Sequence, residues 1–273
     1  MALTELQRGI CRLIAANRIA GGESYVAGGV ALTELLGTSR ISRDIDLFHD
    51  TEEALDRTWR ADRDLLQARG YEVLVVRERP SHVQAVVSQG ADRILAEWVR
   101  DSAYRFFPLV EHEELGLTLH PFDLATNKVL ALVGRVEVRD WVDVIDCDAR
   151  LQPLGYLAWA ASGKDPGFSP PAILAEARRT SRYSVDEVRQ LAFSGPPPDA
   201  ADLARRWSAM LATAAQVHDL LPPDEVGKCV LSAAGQLFRG NPDELRLALA
   251  DARLRFHAGR IRGAFPQIAP LGT

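Results

Sequence analysis

Apolar positions along the chain fall into two rhythms. From Thr4, the spacing of Leu6, Ile10, Leu13 and Ile14 marks one face of a helix, and Thr4 with Gln7 forms a capping-box pattern. This predicts a first helix to about Asn17. A short apolar run, Tyr25–Ala27, ends in Gly28-Gly29; a helical segment, Val30–Leu36, then stops at Gly37. Past the polar turn 38–43, Asp44-Ile45-Asp46-Leu47-Phe48 alternates acid with apolar residues, the rhythm of a half-buried strand. Asp50 and Glu53 repeat the capping pattern before a charged helix that stops at Gly70, with Leu55, Trp59, Leu65 and Leu66 facing a sheet.

Val-rich and β-branched runs predict an antiparallel meander of Tyr71–Arg79, His82–Ser88 and Arg93–Arg100. Within its last strand, Leu95, Glu97 and Val99 share one face. Tyr104–Leu119 reads as irregular. A helix then starts at Pro121 with Asp123 as its cap, breaks near Gly134, and is followed by a second over RDWVDVIDCDARL. From about Gln152 the pattern is helical throughout, punctuated by Pro166–Pro171 and Pro196–Pro198. Helix starts are expected near Ser184, Asp199, Pro222 and Asn241. The last of these helices would carry Arg246, Arg253, His257 and Arg260 as a basic stripe, read mainly as a solvated face. The expected class is α+β, with a mixed or antiparallel sheet and helices in a domain over residues 1–120 and an all-helical region over 121–273.

Composition narrows the function classes. A chain of 273 residues, 47% hydrophobic and 25% charged, suits an ordinary globular protein with ample core. Its formal charge of −5 argues against an indiscriminate grip on nucleic acid, though not against a local basic patch. Cys11, Cys147 and Cys229 lack CxxC spacing and read as buried thiols of a reducing compartment. The amphipathic MALTELQRGICRL is no signal peptide, and no apolar run nears the roughly 20 residues of a membrane span, so a cytoplasmic location is expected.

The chemistry concentrates in Tyr25–Asp50. Alternation puts Asp44 and Asp46 on one face, roughly 6–7 Å apart along the strand, while Ile45 and Leu47 point into a core. Two adjacent carboxylates repel unless a cation lies between them, and hard oxygen ligands suit magnesium. Gly28-Gly29 at a strand-to-helix junction lets backbone amides approach an anion. With Glu97 as a third acid and Lys128 downstream, these are the parts of nucleotidyl transfer, in which a hydroxyl attacks the α-phosphate of a nucleoside triphosphate. Two metal ions about 3.5–4 Å apart would clamp the attacking and leaving oxygens. Arg40 and Ser42 adjoin the acids and are candidates to hold phosphate, with ion pairing as the alternative for Arg40. Arg135 and Arg139 are expected to pair with Asp140 and Asp143, and His49 reads as a polar strand end.

GGVAL…RISRDIDLF followed by PFDLATNKVLALVGRVEVRDWVDVID resembles the AbiEii/AbiGii toxin family of nucleotidyltransferases over about Tyr25–Asp148. The resemblance implies a polymerase-β-like nucleotidyltransferase core, a helical C-terminal part, and a role as the toxin of a type IV toxin–antitoxin system with a separate antitoxin protein. It implies that Gly28 and Gly29 contact phosphate and that Asp44 and Asp46 bind Mg2+ (or Mn2+). Lys128 would lie against the triphosphate, and Asp140 belongs to an Arg-Asp element. The implied acceptor is an RNA or tRNA 3′ end. One departure stands out: where the family tends to have Asp as third acid, this chain has Glu97. Rival readings are transfer to a protein or small-molecule hydroxyl, and a catalytically silent nucleotide- or partner-binding module.

Overall fold

The structure, a computed structural model, describes residues 3–179 and 183–267. In chain order its first elements are α1 (Glu5–Gly21), β1 (Ser24–Ala27), α2 (Gly28–Leu36), β2 (Asp44–His49) and α3 (Glu52–Ala68). Then come β3 (Glu72–Arg79), β4 (His82–Gln89), β5 (Asp92–Arg100), β6 (Tyr104–Arg105), β7 (Val110–His112) and β8 (Gly116–Thr118). Helices α4 (Pro121–Arg135), α5 (Val138–Arg150), α6 (Leu154–Ala161), α7 (Pro170–Arg179), α8 (Val185–Arg189) and α9 (Ala200–Leu220) follow. The chain closes with β9 (Lys228–Ser232), α10 (Pro242–Ala250), β10 (Leu254–Ala258) and β11 (Arg260–Ile261). Two compact units result. One comprises Met1–Ala103, Pro108–His120 and Ala192–Gly195; the other comprises Tyr104–Phe107, Pro121–Leu191 and Pro196–Thr273.

The first unit is built on a mixed seven-stranded sheet, ordered β3-β4-β5-β2-β1-β8-β7. β3, β4 and β5 form the expected antiparallel meander; β5 then pairs with β2 in parallel, which makes β5 an interior strand. The stretch read as irregular supplies β7 and β8, and β8 pairs in parallel with β1. Ile94, Ala96 and Trp98 of β5 are buried with Ile45 and Leu47 of β2. Trp98 meets Trp59 of α3 edge-on at 4.7 Å. Against this apolar layer lies a buried ion pair, Arg18 Nη2 to Asp62 Oδ2 at 2.6 Å, and Trp98 Nε1 donates to the same oxygen at 2.9 Å. Buried charges are tolerated there because each finds a partner. The cap of α3 is Thr51, whose hydroxyl accepts from the Ala54 amide, in place of the expected Asp50.

The second unit centres on α6, whose sequence LGYLAWAA is apolar all round and buried all round. Tyr156, Trp159, Val217, Leu221, Val230 and Leu245 form a buried cluster there. Three segments read as helical, β9, β10 and β11, are strands. After a 3-10 turn at Pro223–Glu225, Gly227 (φ 81°) redirects the chain, and the apolar run Cys229–Leu231 enters β9. β10 pairs antiparallel with it. α10 ends at Ala250, so the expected basic stripe does not exist as one helix face: His257 lies on β10 and Arg260 on β11. Asp123, expected as a cap, is instead buried within α4. Its carboxylate accepts the amides of Phe106 and Phe107 at 2.8 and 3.0 Å and pairs with Lys164 at 2.7 Å.

Candidate active site

The first unit assembles most of the expected residues at the start of α2. β1 runs into Ala27, and helix α2 begins at Gly28. Gly28 has a left-handed backbone, φ 63°, and a Cβ added there would collide with Oδ2 of Asp46. Glycine is thus required twice at this position, by conformation and by the carboxylate lying against its α-carbon. A Cβ on Gly29 would meet the Ser42 hydroxyl at 2.6 Å and an Arg40 guanidinium nitrogen at 2.7 Å. A carboxylate, a hydroxyl and a guanidinium therefore close on the N-terminal turn of one helix, where unbonded amides and the helix dipole favour an anion.

β2 displays its acids as the alternation requires. Ile45 and Leu47 are fully buried, while Asp44 and Asp46 are half-buried on the opposite face. In the parallel register Asp46 lies beside Glu97, and neighbouring strands are about 4.8 Å apart. Glu97 in turn faces Gln84 of β4. The Gln84 amide donates to Glu97 Oε1 at 2.5 Å, and His82 Nε2 stands 3.8 Å from Oε2. The three acids thus share one sheet face. Among the described residues, however, no three Asp, Glu, His or Cys side chains are gathered into a ready metal cage. The pair Asp44–Asp46 is a donor set that fits a hard divalent cation: two carboxylates, half-exposed, on a rigid strand.

The 38–43 loop that carries Arg40 and Ser42 is held from two directions. Gln7, which also completes the cap of α1, donates through Nε2 to the Ser42 carbonyl at 2.8 Å. From far along the chain, Ala192 and Ser194 bond to Ile41 and Ser39 on either side of an Arg40–Phe193 bridge. Sequence reading gave Gln7 only a capping role and 192–194 none. A glutamine makes two jobs from one amide without any pattern to betray the second. Backbone pairing of so short a segment leaves no compositional trace at all.

Lys128 lies in the other unit and is buried, its ammonium 3.0 Å from Asp140 Oδ1 and 3.1 Å from Asp143 Oδ2. Arg135 pairs with Asp140 at 2.7 Å, as expected; Arg139 pairs with Glu137. Burial pushes the Asp140 carboxyl up, but Arg135 and Lys128 more than offset this and hold it below the usual aspartate range. His49, read as a polar strand end, is wholly buried, with Nε2 3.0 Å from the Ser24 hydroxyl. Burial, then the nearby charge of Arg18, lowers its pKa to about 3, so the imidazole is neutral. Burial also raises the Cys11 thiol to about 12 and the other two thiols well above their ordinary value, leaving none of the three activated.

A scan against protein-family models finds no match, and a search of curated proteins finds none. Solved structures do match. A candidate nucleotidyltransferase from H. pylori superposes with a TM-score of 0.50 at 16% identity, covering 80% of this chain and 96% of its own. JHP933 from Helicobacter pylori gives 0.47 at 15%, covering 80% and 94%. MenT4, a nucleotidyltransferase toxin from Mycobacterium tuberculosis H37Rv, gives 0.49 at 18%, covering 82% and 88%. At these identities the likeness speaks to architecture, and it rests on the first of the three: the chain has the fold of a nucleotidyltransferase.

Proposed function

We propose that this protein is a metal-dependent nucleotidyltransferase that moves a nucleoside monophosphate from a triphosphate to an acceptor hydroxyl. The observation that carries the reading is the packing of Asp46 against Gly28, with Arg40 and Ser42 against Gly29, at the first turn of α2. It brings an anion-binding helix start and a two-carboxylate strand face into one place. In this reading the first amides of α2, Arg40 and Ser42 bind and orient the triphosphate. Asp44 and Asp46 would hold Mg2+, with Glu97 beside them and Mn2+ as the alternative ion; the cation would neutralise phosphate charge and polarise the α-phosphate. A new bond forms between the acceptor oxygen and the α-phosphorus, the bond to pyrophosphate breaks, and the hydroxyl proton passes to Asp46 or Glu97. Lys128, placed against the triphosphate by the family resemblance, is committed here to Asp140 and Asp143 within its own unit, and we assign it a structural role.

The acceptor follows from the motif resemblance alone: an RNA 3′ end, tRNA in particular, with the chain acting in the cytoplasm as a toxin opposed by an antitoxin protein. No described helix is long and apolar enough to cross a membrane. A second reading, a silent nucleotide-binding module, is favoured by one observation: the third acid is Glu97, where the family that the motifs resemble tends to have Asp. The two readings separate when α-labelled triphosphates are supplied with magnesium, total RNA and cell extract. Label appearing in one macromolecular class, with release of pyrophosphate, is the expected result. Triphosphate binding without transfer to any RNA, protein or small molecule would instead establish the silent module.

A further inference from the structure

The chain between Leu191 and Pro196 departs from its neighbours in sequence. Residues on both sides of it belong to the second unit, yet Ala192–Gly195 belongs to the first. There the Ile41 amide donates to the Ala192 carbonyl at 2.8 Å, and the Ser194 amide donates to the Ser39 carbonyl at 2.8 Å. These two bonds flank the antiparallel bridge between Arg40 and Phe193. In such a pair the two residues face each other with their side chains on the same side, at the closer of the two antiparallel spacings. The residue pinned at its centre, Arg40, is 4% exposed and reaches the start of α2. Arginine carries several rotatable bonds, and an unanchored loop would leave its guanidinium to search for the phosphate at an entropic cost.

We propose that Ala192–Ser194 is a positioning strap for the triphosphate site: it fixes the 39–42 loop so that Arg40 and Ser42 are already in place over Gly29 when the nucleotide arrives. The proposal rests on the nucleotidyltransferase reading. Its consequences are specific to binding, because the strap touches the loop that holds phosphate and touches neither β2 nor β5 through any of these bonds. Loss of the strap therefore raises KM and leaves the chemical step alone.

The test uses Ser194→Pro, which removes the amide donated to Ser39, and Phe193→Gly, which loosens the backbone of the strap itself between its two bonds. Each is measured on the full chain with magnesium and each of the four ribonucleoside triphosphates, by titration and by turnover, alongside amide exchange at Ile41. Ser194→Pro is expected to raise KM and Kd at least fivefold, to change kcat less than twofold, and to speed exchange at Ile41. Ser194→Ala, which restores the amide, is expected to recover the wild-type KM. If Ser194→Pro does not fold, Phe193→Gly must show the same split between KM and kcat. An unchanged KM in the folded variants, with normal wild-type turnover, overturns the strap and leaves the enzyme reading standing. A wild-type protein that binds none of the four triphosphates overturns both.

Discussion

Two groups of aspartates, one in each unit, look alike in sequence and are treated in opposite ways by the fold. Asp44 and Asp46 sit two apart on β2; Asp140 and Asp143 sit three apart on α5. The α5 pair is almost wholly buried and is neutralised from within by Lys128 and Arg135. The β2 pair stays half-exposed, and one of its members is packed against a glycine that could be no other residue. A carboxylate buried with its counter-charge stabilises structure. A carboxylate left at the surface on a rigid strand, next to a helix start cleared of side chains, is equipped for a ligand. Spacing alone did not separate these cases; the presence of glycine at the contact did.

The contrast can be broken in four ways. The largest effect is expected from Gly28→Ala, where the added methyl must displace the Asp46 carboxylate and the backbone must hold φ 63°. Transfer should fall at least about 1000-fold, roughly 4 kcal/mol of activation free energy; single-turnover rates within tenfold of wild type would remove the glycine contact from the site. Asp140→Ala should act on stability instead. It strips Lys128 of one of its carboxylates and takes the Asp140 carboxylate from Arg135, and urea unfolding should show a loss of about 3–5 kcal/mol. A loss under about 1 kcal/mol would mean that the α5 pair is not structural.

His49 offers a smaller, pH-dependent effect. Its folded pKa of about 3 lies below its ordinary 6.5. Between those values the unfolded chain binds a proton that the folded chain refuses, so the contribution is complete above pH 6.5 and is lost as pH falls toward 3. By pH 5 the loss should reach about 2 kcal/mol. His49→Gln should flatten that part of the stability profile, and an unchanged slope would place the dependence on other groups. Smallest is Gln84→Leu, which frees Glu97 from its amide. A roughly fivefold to tenfold drop in kcat at constant KM is expected if Glu97 must be held in place. No change in either constant would mean that the tether is incidental to turnover.

Much of this arrangement was legible before the structure. The alternation in DIDLF placed Ile45 and Leu47 inside and both acids outside, and the same logic put Glu97 on the face it shares with them. Strand periodicity is reliable there because one face is buried and a slip of one residue would expose the core. The C-terminal part was read less well. KCVLS holds an apolar run of only three residues, too short for its period to distinguish strand from helix, and its pairing with β10 is set by partners over twenty residues away. Lys128 marks a different limit. Its position on a partly apolar helix was evident, but whether it met a phosphate or Asp140 depended on tertiary packing. The strap at Ala192–Ser194 was invisible for a different reason: it acts through backbone groups that every residue carries.

The comparison between the two aspartate pairs comes down to Asp46. Wild-type protein and Asp46→Asn, an isosteric change that removes only the charge, should be incubated with α-labelled triphosphate, magnesium and total RNA, with unfolding followed in parallel. The expected result is labelled acceptor and pyrophosphate from the wild type, none above background from the variant, and unfolding midpoints that coincide. Transfer by Asp46→Asn at the wild-type rate would contradict the assignment of this strand face as the active site.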